Sequence, residues 1–402
     1  MGFEDQIFPE FSSRAPRLQN LKVKARNYSP KQSWKLFDGD APTLDTLELS
    51  ECSVPWHSFN LKGLTTLILC NQFRQNIMEF LAMLSPLQDL THLYIHRSLA
   101  SATGFLSSTE FHTFQKISLP HLSRLLISAP LSTVIALLAC VEVPLETKVG
   151  LDCNSEDDFT LSYSPVFSFL AQRMLSSLTF RSLVINSPMF DPRLTFSTLE
   201  RDCDDFYPTS HQDWDCGIPL KIRIRLNSSP THGNGDRILS DISSFVPLTN
   251  VQSVHVVTPQ FSPASNFWRN MSKYLPDVRY IKLSDGFMPN LESTLSVTDL
   301  TAHEGAESQG GHADQDPDRI LAPALEELVI HSIMFTGRPK SPCYADQMDL
   351  QSLFDVLATR KAPGGRLTIT RCTEGGQHDP TPFDIDGLWK DGYFREVDRR
   401  SR

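Results

Sequence analysis

Nowhere in the 402 residues does a run of about 18 apolar side chains occur, the least that crosses a bilayer as a helix. The opening MGFEDQIFPE is acidic and has no apolar core segment, so it is not a secretory signal. MGFEDQ also lacks the Ser or Thr of a myristoylation motif. The expectation is a protein without a membrane association, in the cytoplasm, the nucleus or both. No two of the eight cysteines form a C-x-x-C pair. Scattered, several of them inside apolar runs, they read as free thiols that pack as small hydrophobes. Positive charge is in deficit: 37 Lys and Arg against 47 Asp and Glu leave a formal net charge of −10. That balance argues against a sequence-independent grip on nucleic acid, which needs clustered cations.

Catalytic and metal signatures are missing too. Cys203, His211, Asp213, Asp215 and Cys216 share one polar stretch, but the cysteines stand alone where a zinc site needs tight pairs, so the stretch reads as an acidic loop. His232-Gly233-Asn234-Gly235-Asp236 is glycine-rich but lacks the lysine of a phosphate cradle, and reads as a turn. Pro363-Gly364-Gly365 reads likewise. There is no G-x-S-x-G elbow and no H-E-x-x-H. Asn227-Ser228-Ser229 and Asn270-Met271-Ser272 match the glycosylation pattern, which has no meaning without export. The chain is therefore expected to be no enzyme and to use neither cofactor nor metal.

What is present is repetition. Hydrophobic residues make up 40% of the chain, and they return in one phrase: apolar, two others, apolar, two others, then apolar-x-apolar. Copies stand at Leu18-Leu21-Val23, Leu44-Leu47-Leu49, Leu61-Leu64-Leu67-Leu69, Leu87-Leu90-Leu93-Ile95 and Leu119-Leu122-Leu125-Ile127. Later copies are Leu248-Val251-Val254-Val256, Leu275-Val278-Ile281-Leu283 and Leu325-Leu328-Ile330, with weaker ones at Phe180-Leu183-Ile185, Leu220-Ile222-Ile224-Leu226 and Leu367-Ile369. In a strand, alternate side chains leave by opposite faces. The leucines of x-L-x-L-x thus face a core and the residues between them face solvent. One such strand cannot bury its apolar face alone, whereas stacked copies can.

The fold expected is α/β: a leucine-rich-repeat solenoid with a curved parallel sheet on the concave side and irregular helices on the convex side. Spacing between copies varies, from Leu21 to Leu47 by 26 residues, then to Leu67 by 20, to Leu93 by 26 and to Leu125 by 32, so the connections differ. Helical periodicity marks RQNIMEFLAMLSPL, the run from Leu131 to Val141, and VFSFLAQRMLSSL behind Pro165. FSPASNFWRNMSKYL and MDLQSLFDVLATRK are further helix candidates. Prolines before the phrases (Pro16, Pro42, Pro86, Pro120, Pro276, Pro323) suit a chain leaving a helix. An ordinary α/β domain also alternates strand and helix but has no reason to repeat a phrase.

Along the chain this predicts irregular repeats over 1–295, a disordered Gly-, Asp- and Ser-rich insertion over 296–320, final repeats over 321–372 and a polar tail or cap over 373–402. Residues 200–217 are expected to form a long polar loop. The outward row at the strand centres should run Lys22, Glu48, Ile68, Tyr94, Leu126, Val184, His255, Lys282 and Val329, with His92, His96 and His331 beside it. An outward cluster of Ile, Tyr, Leu and Val reads as a contact patch. The candidate partner-binding residues are Ile68, His92, Tyr94, His96, Leu126, His255 and Lys282, with Tyr94 as anchor.

Three segments carry a family likeness: Asp38-Gly39-Asp40-Ala41-Pro42-Thr43-Leu44, then Cys52-Ser53-Val54-Pro55-Trp56, then Leu61-Lys62-Gly63-Leu64-Thr65-Thr66-Leu67. With LSPLQDLTHLYIHRSL they resemble the C-terminal leucine-rich region of mushroom-type fungal F-box proteins, over roughly residues 10–290. The resemblance implies a protein-recognition module of a ubiquitin-ligase adaptor. In that family an N-terminal three-helix F-box binds a Skp-type adaptor. Residues 1–15 are too short for such a module, so the resemblance carries the substrate-recognition half and not the ligase-docking half. A stand-alone scaffold or regulator without a ubiquitin link is the other reading.

Overall fold

A computed structural model of the chain describes residues 15–28, 41, 43–52, 61–71, 76–154, 161–174, 179–186, 193–197, 220–225, 234–257, 274–286, 325–335, 366–370, 373–374 and 381–382. The expected insertion at 296–320, the loop at 200–217 with its cysteines, Pro363-Gly364-Gly365 and the helix candidate MDLQSLFDVLATRK lie outside them. So does most of FSPASNFWRNMSKYL.

In chain order the first elements are β1 (Asn20–Tyr28), β2 (Thr46–Cys52), β3 (Thr66–Cys70), α1 (Ile77–Leu84), β4 (His92–His96), α2 (Thr103–Leu106) and α3 (Thr109–Thr113). Next come β5 (Ile117–Ser118), β6 (Arg124–Pro130), α4 (Leu131–Cys140), β7 (Val141–Glu142), β8 (Lys148–Asn154), α5 (Ser164–Met174), β9 (Ser182–Asn186), β10 (Arg193–Ser197) and β11 (Leu220–Arg225). Then follow α6 (Asn234–Phe245), β12 (Ser253–Val257), β13 (Tyr280–Gly286), β14 (Glu327–Phe335), β15 (Arg366–Thr370), β16 (Thr373–Glu374) and β17 (Thr381–Pro382). The chain divides into two compact units, Met1–Leu178 with Tyr207–Arg225, and Thr179–Phe206 with Leu226–Arg402.

In the first unit β1, β2, β3, β4, β6, β8 and β11 lie side by side, each parallel to the next. Spatial order follows chain order, without the reversal of a doubly wound sheet. The inward residues align as one row, Leu21, Leu47, Leu67, Leu93, Leu125, Val149, and a second, Val23, Leu49, Leu69, Ile95, Ile127, Leu151. Leu47, Leu49, Leu67 and Leu69 are wholly buried. Burying one such side chain stabilises the fold by about 1.5–3 kcal/mol. Helices cover this face. Leu84 of α1, Leu137 of α4 and Phe169 of α5 meet Leu93, Leu125 and Ile127 around one apolar crevice.

Local chemistry accounts for α1, α4 and α5. Asn76 caps α1, its side-chain oxygen accepting from the Met78 amide at 2.8 Å, and Ile77, Phe80, Leu81 and Leu84 form its buried stripe. In α4 the apolar residues run nearly all round, as suits a helix buried on most sides. Its two buried hydroxyls are satisfied: Thr133 donates to the Ala100 carbonyl at 2.6 Å, and Ser132 accepts from the Ala102 amide at 3.0 Å. Pro165 stands in the first turn of α5, where its missing N–H has no helical acceptor to lose.

A tight turn delivers the chain into several strands. The Leu18 amide bonds to the Ala15 carbonyl, Leu44 to Ala41, Leu64 to Leu61 and Leu122 to Leu119. Pro16 and Pro120 sit second in two of these turns, where a φ fixed near −65° is wanted. At Pro120, which follows β5, this corrects the expectation of a helix exit. Pro86 directly follows α1 and its cap Ser85, and Pro276 stands two residues after Tyr274, which is helical, as expected. At the other end of β2, β3 and β4, Glu51, Asn71 and Arg97 adopt left-handed backbone, with φ of 57°, 48° and 49°. The same kink thus recurs one residue after Ser50, Cys70 and His96, which are register partners.

In the second unit β9, β12, β13, β14 and β15 are parallel neighbours, and β16 pairs with β14 and β17. Leu183, Val254, Ile281 and Leu328 form one inward row and are buried. Two pairs depart from the expected parallel order: β10 runs antiparallel to β9, and β17 antiparallel to β16. The link 187–192 is too short for a crossover, so the strands close as a hairpin, with Phe180 and Phe196 packed at 5.6 Å between centroids. The segment read as a turn at 232–236 contains the start of α6, at Asn234. The i, i+4 spacing of Ile238 and Ile242 explains that helix, and Ile242 is wholly buried.

The architecture is thus mixed α/β, with parallel strands and helices.

Candidate recognition face

Residues facing away from the helices in the first unit form three rows. At the strand starts stand Asn20, Thr46, Thr66, His92, Arg124 and Lys148. In the middle are Lys22, Glu48, Ile68, Tyr94, Leu126 and Gly150. At the strand ends are Lys24, Ser50, Cys70, His96, Ser128 and Asp152. β11 continues the middle row at the position of Lys221 and the last at that of Arg223.

Of the expected binding residues, Ile68, Tyr94 and Leu126 are direct register neighbours on β3, β4 and β6. Each is half-buried, while the leucine or isoleucine on either side of it in the chain is buried. His92 flanks Tyr94 with its ring parallel to the tyrosine ring. Its Nδ1 lies 2.8 Å from the Thr91 hydroxyl. His96 stands at the strand end, between Cys70 and Ser128.

His255 and Lys282 are also register neighbours, but on β12 and β13 of the second unit, with Val184 and Val329 on either side. The expected single row is therefore corrected: Leu126 is followed by Gly150, not by Val184. β8 was missed because KVGLDC has the alternation of a strand but no leucine lead-in. Its turn is built on Pro144, whose carbonyl accepts from the Thr147 amide at 3.2 Å, and Leu145 there is 52% exposed.

Register also brings together polar groups that spacing does not single out. Ser128 donates to Asp152 Oδ2 at 2.9 Å, and both are buried. His255 Nε2 lies 2.9 Å from Ser284 Oγ. That is the separation of a nucleophile and its base, but Ser284 is only 4% exposed, which leaves its oxygen little surface for a substrate. Lys22 bridges Glu48 at 2.8 Å. A ladder of hydroxyls and backbone runs along the strand starts: the Thr65 hydroxyl reaches Asp45 Oδ1 at 2.6 Å, Thr91 the Thr65 carbonyl at 3.0 Å and Ser123 the Thr91 carbonyl at 3.0 Å. Each of these carbonyls, with that of Asp45, also accepts two amides from the next strand.

Titration is perturbed on the helix side of the sheet. Burial pushes the Cys140 thiol up, with Lys116 opposing. Burial and then the Asp152 charge push Cys153 far up. These thiols resist ionisation and are poor nucleophiles. Among the described residues no three His, Cys, Asp or Glu are grouped to hold a metal ion, and no helix is long and apolar enough to cross a membrane. Comparison with known proteins gives no match to any family model, any curated protein or any solved structure.

Proposed function

We propose that the chain is a leucine-rich-repeat solenoid that holds another protein on its open sheet face, without catalysis, cofactor or metal. The observation that carries this reading is the Ile68–Tyr94–Leu126 row. Three large apolar side chains stand in register on the face away from the helices and keep part of their surface exposed. A sheet face with no partner is normally polar, and exposed apolar clusters mark contacts. Tyrosine in the centre suits an anchor.

The resemblance to the leucine-rich region of fungal F-box proteins adds a role, that of the substrate-holding part of a ubiquitin-ligase adaptor. The test is the double variant Tyr94→Glu/Leu126→Glu. It should keep its circular dichroism and its unfolding midpoint while losing capture of the partner from a fungal lysate. Aggregation or unfolding of the variant would mean that these side chains are core. Recovery of a Skp-type adaptor and a cullin with the wild-type chain supports the ligase role, and recovery of a partner without them supports a stand-alone scaffold.

A further inference from the structure

We propose that Ser85 is a phosphorylation site, modified by a protein kinase that selects proline after the acceptor, and that the phosphate holds the last turn of α1 open. This stands apart from whatever the sheet face binds. Ser85 caps the C-terminus of α1, its amide donating to the Leu81 carbonyl at 3.1 Å. Its side chain is exposed, and its hydroxyl has no hydrogen-bond partner among the described residues. Pro86 follows, also exposed, and offers no amide N–H, the feature such a kinase selects. The other described serine before a proline is Ser164. It is half-buried, with its hydroxyl 2.7 Å from that of Ser162. Ser85 is thus the open acceptor of the two.

Charge decides what a phosphate does there. It brings about −1.5 to −2 at neutral pH to a helix C-terminus, the negative end of the helix dipole. Between Asn76 and Thr91 no Lys, Arg or His occurs, while Glu79 and Asp89 are both acidic. With no cation in this stretch to receive it, the group repels the turn that carries it. The neighbours of Ser85 decide how a kinase reaches it. Leu84 and Leu87 are buried, at 0% and 1% exposure, so the acceptor enters a kinase cleft only when the last turn peels away. A residue before proline favours extended backbone, so the peel begins at Ser85. Its Oγ then attacks the terminal phosphorus of ATP and its proton passes to the kinase's catalytic carboxylate. The bond to the bridging oxygen breaks as ADP leaves. Leu84 shares its apolar crevice with Leu93, so an open turn uncovers the core behind β4.

The test is incubation of the full chain with magnesium, ATP and a proline-directed kinase of proven activity, with phosphate mapped by mass spectrometry. Ser85 should fill ahead of Ser164, and the signal on its peptide should vanish in Ser85→Ala. Asn76→Ala removes the cap of this two-turn helix and should speed modification of Ser85 about fivefold. In the phosphorylated chain, hydrogen exchange at the Ser85 amide and its neighbours in α1 should run about two- to fivefold faster, with α4 unchanged. A native chain whose Ser85 stays unmodified overturns the site, and Ser164 filling first overturns the choice of acceptor. Equal rates in wild type and Asn76→Ala overturn the peeling route. Unaltered exchange in α1 after modification overturns the effect assigned to the phosphate.

Discussion

His92 and Tyr94 hold their rings within 4° of parallel, 6.3 Å between centroids. Two residues apart on one strand, both side chains leave by the same face, and the imidazole stands beside the candidate anchor. Its other support comes from below. The Thr91 hydroxyl lies 2.8 Å from His92 Nδ1 and 3.0 Å from the Thr65 carbonyl. A hydroxyl has one proton to give, so when it donates to the carbonyl it accepts from Nδ1–H, and the ladder selects the tautomer.

Thr91→Val removes that hydroxyl and keeps the shape. The Thr65 carbonyl retains two amide donors, from Thr91 and His92, so the loss should be small, about 1 kcal/mol in urea unfolding. Nitrogen-15 spectra of the imidazole should move from the Nδ1–H form toward a mixture, and Thr91→Ser should restore both readings. Unchanged stability and tautomer in the valine variant would remove the ladder from the account of this face.

Arg173 is a buried cation on α5, 4% exposed. It donates to the Val143 and Pro144 carbonyls at 3.4 and 3.2 Å and lies 4.1 Å over the Phe169 ring. Burial draws its pKa down, with Glu146 opposing. Through it the helix holds the turn that launches β8, the strand that carries Lys148. Arg173→Met should cost roughly 1–3 kcal/mol by taking the guanidinium donor from the Val143 carbonyl, while the Pro144 carbonyl keeps the Thr147 amide. Arg173→Lys should recover only part, since an ammonium cannot stack on the ring as a planar guanidinium does. A lysine variant as stable as wild type in chemical denaturation would contradict this geometry.

The raised thiols give a pH prediction. Cys140 and Cys153 hold their protons in the folded chain to a higher pH than in the unfolded chain, where a thiol titrates near about 8.5. Above that range the unfolded state binds fewer protons than the native state, so stability falls as pH rises. Denaturant midpoints should therefore decline on the alkaline side. Alkylation at mildly alkaline pH, read by mass spectrometry, should leave both residues unmodified until denaturant is added. Rapid native labelling at Cys153 would mean that its site opens to solvent.

The two faces of each strand were legible in the residues alone. LQDLTHLYIH shows that Leu93 and Ile95 point inward and His92 and Tyr94 outward, because the strand period of two depends on no neighbour. Helices α1, α4 and α5 were legible for the same reason, since their apolar spacing is local. Pro120 differs from the expectation because a tight turn and a helix exit use the same residue, and only the element before it and the acceptor of the next amide separate them.

Which strand lies beside which was decided by the tertiary structure. Local alternation in KVGLDC is weak without the leucine lead-in, yet β8 pairs with β6 through backbone bonds that any side chain permits. That pairing sets Gly150 rather than Val184 beside Leu126, brings Arg124 against Lys148, and joins Ser128 to Asp152. The short link after β9 likewise reversed β10. A strand's faces follow from its own alternation, whereas its neighbours follow from how connections of unequal length bring backbone donors and acceptors together.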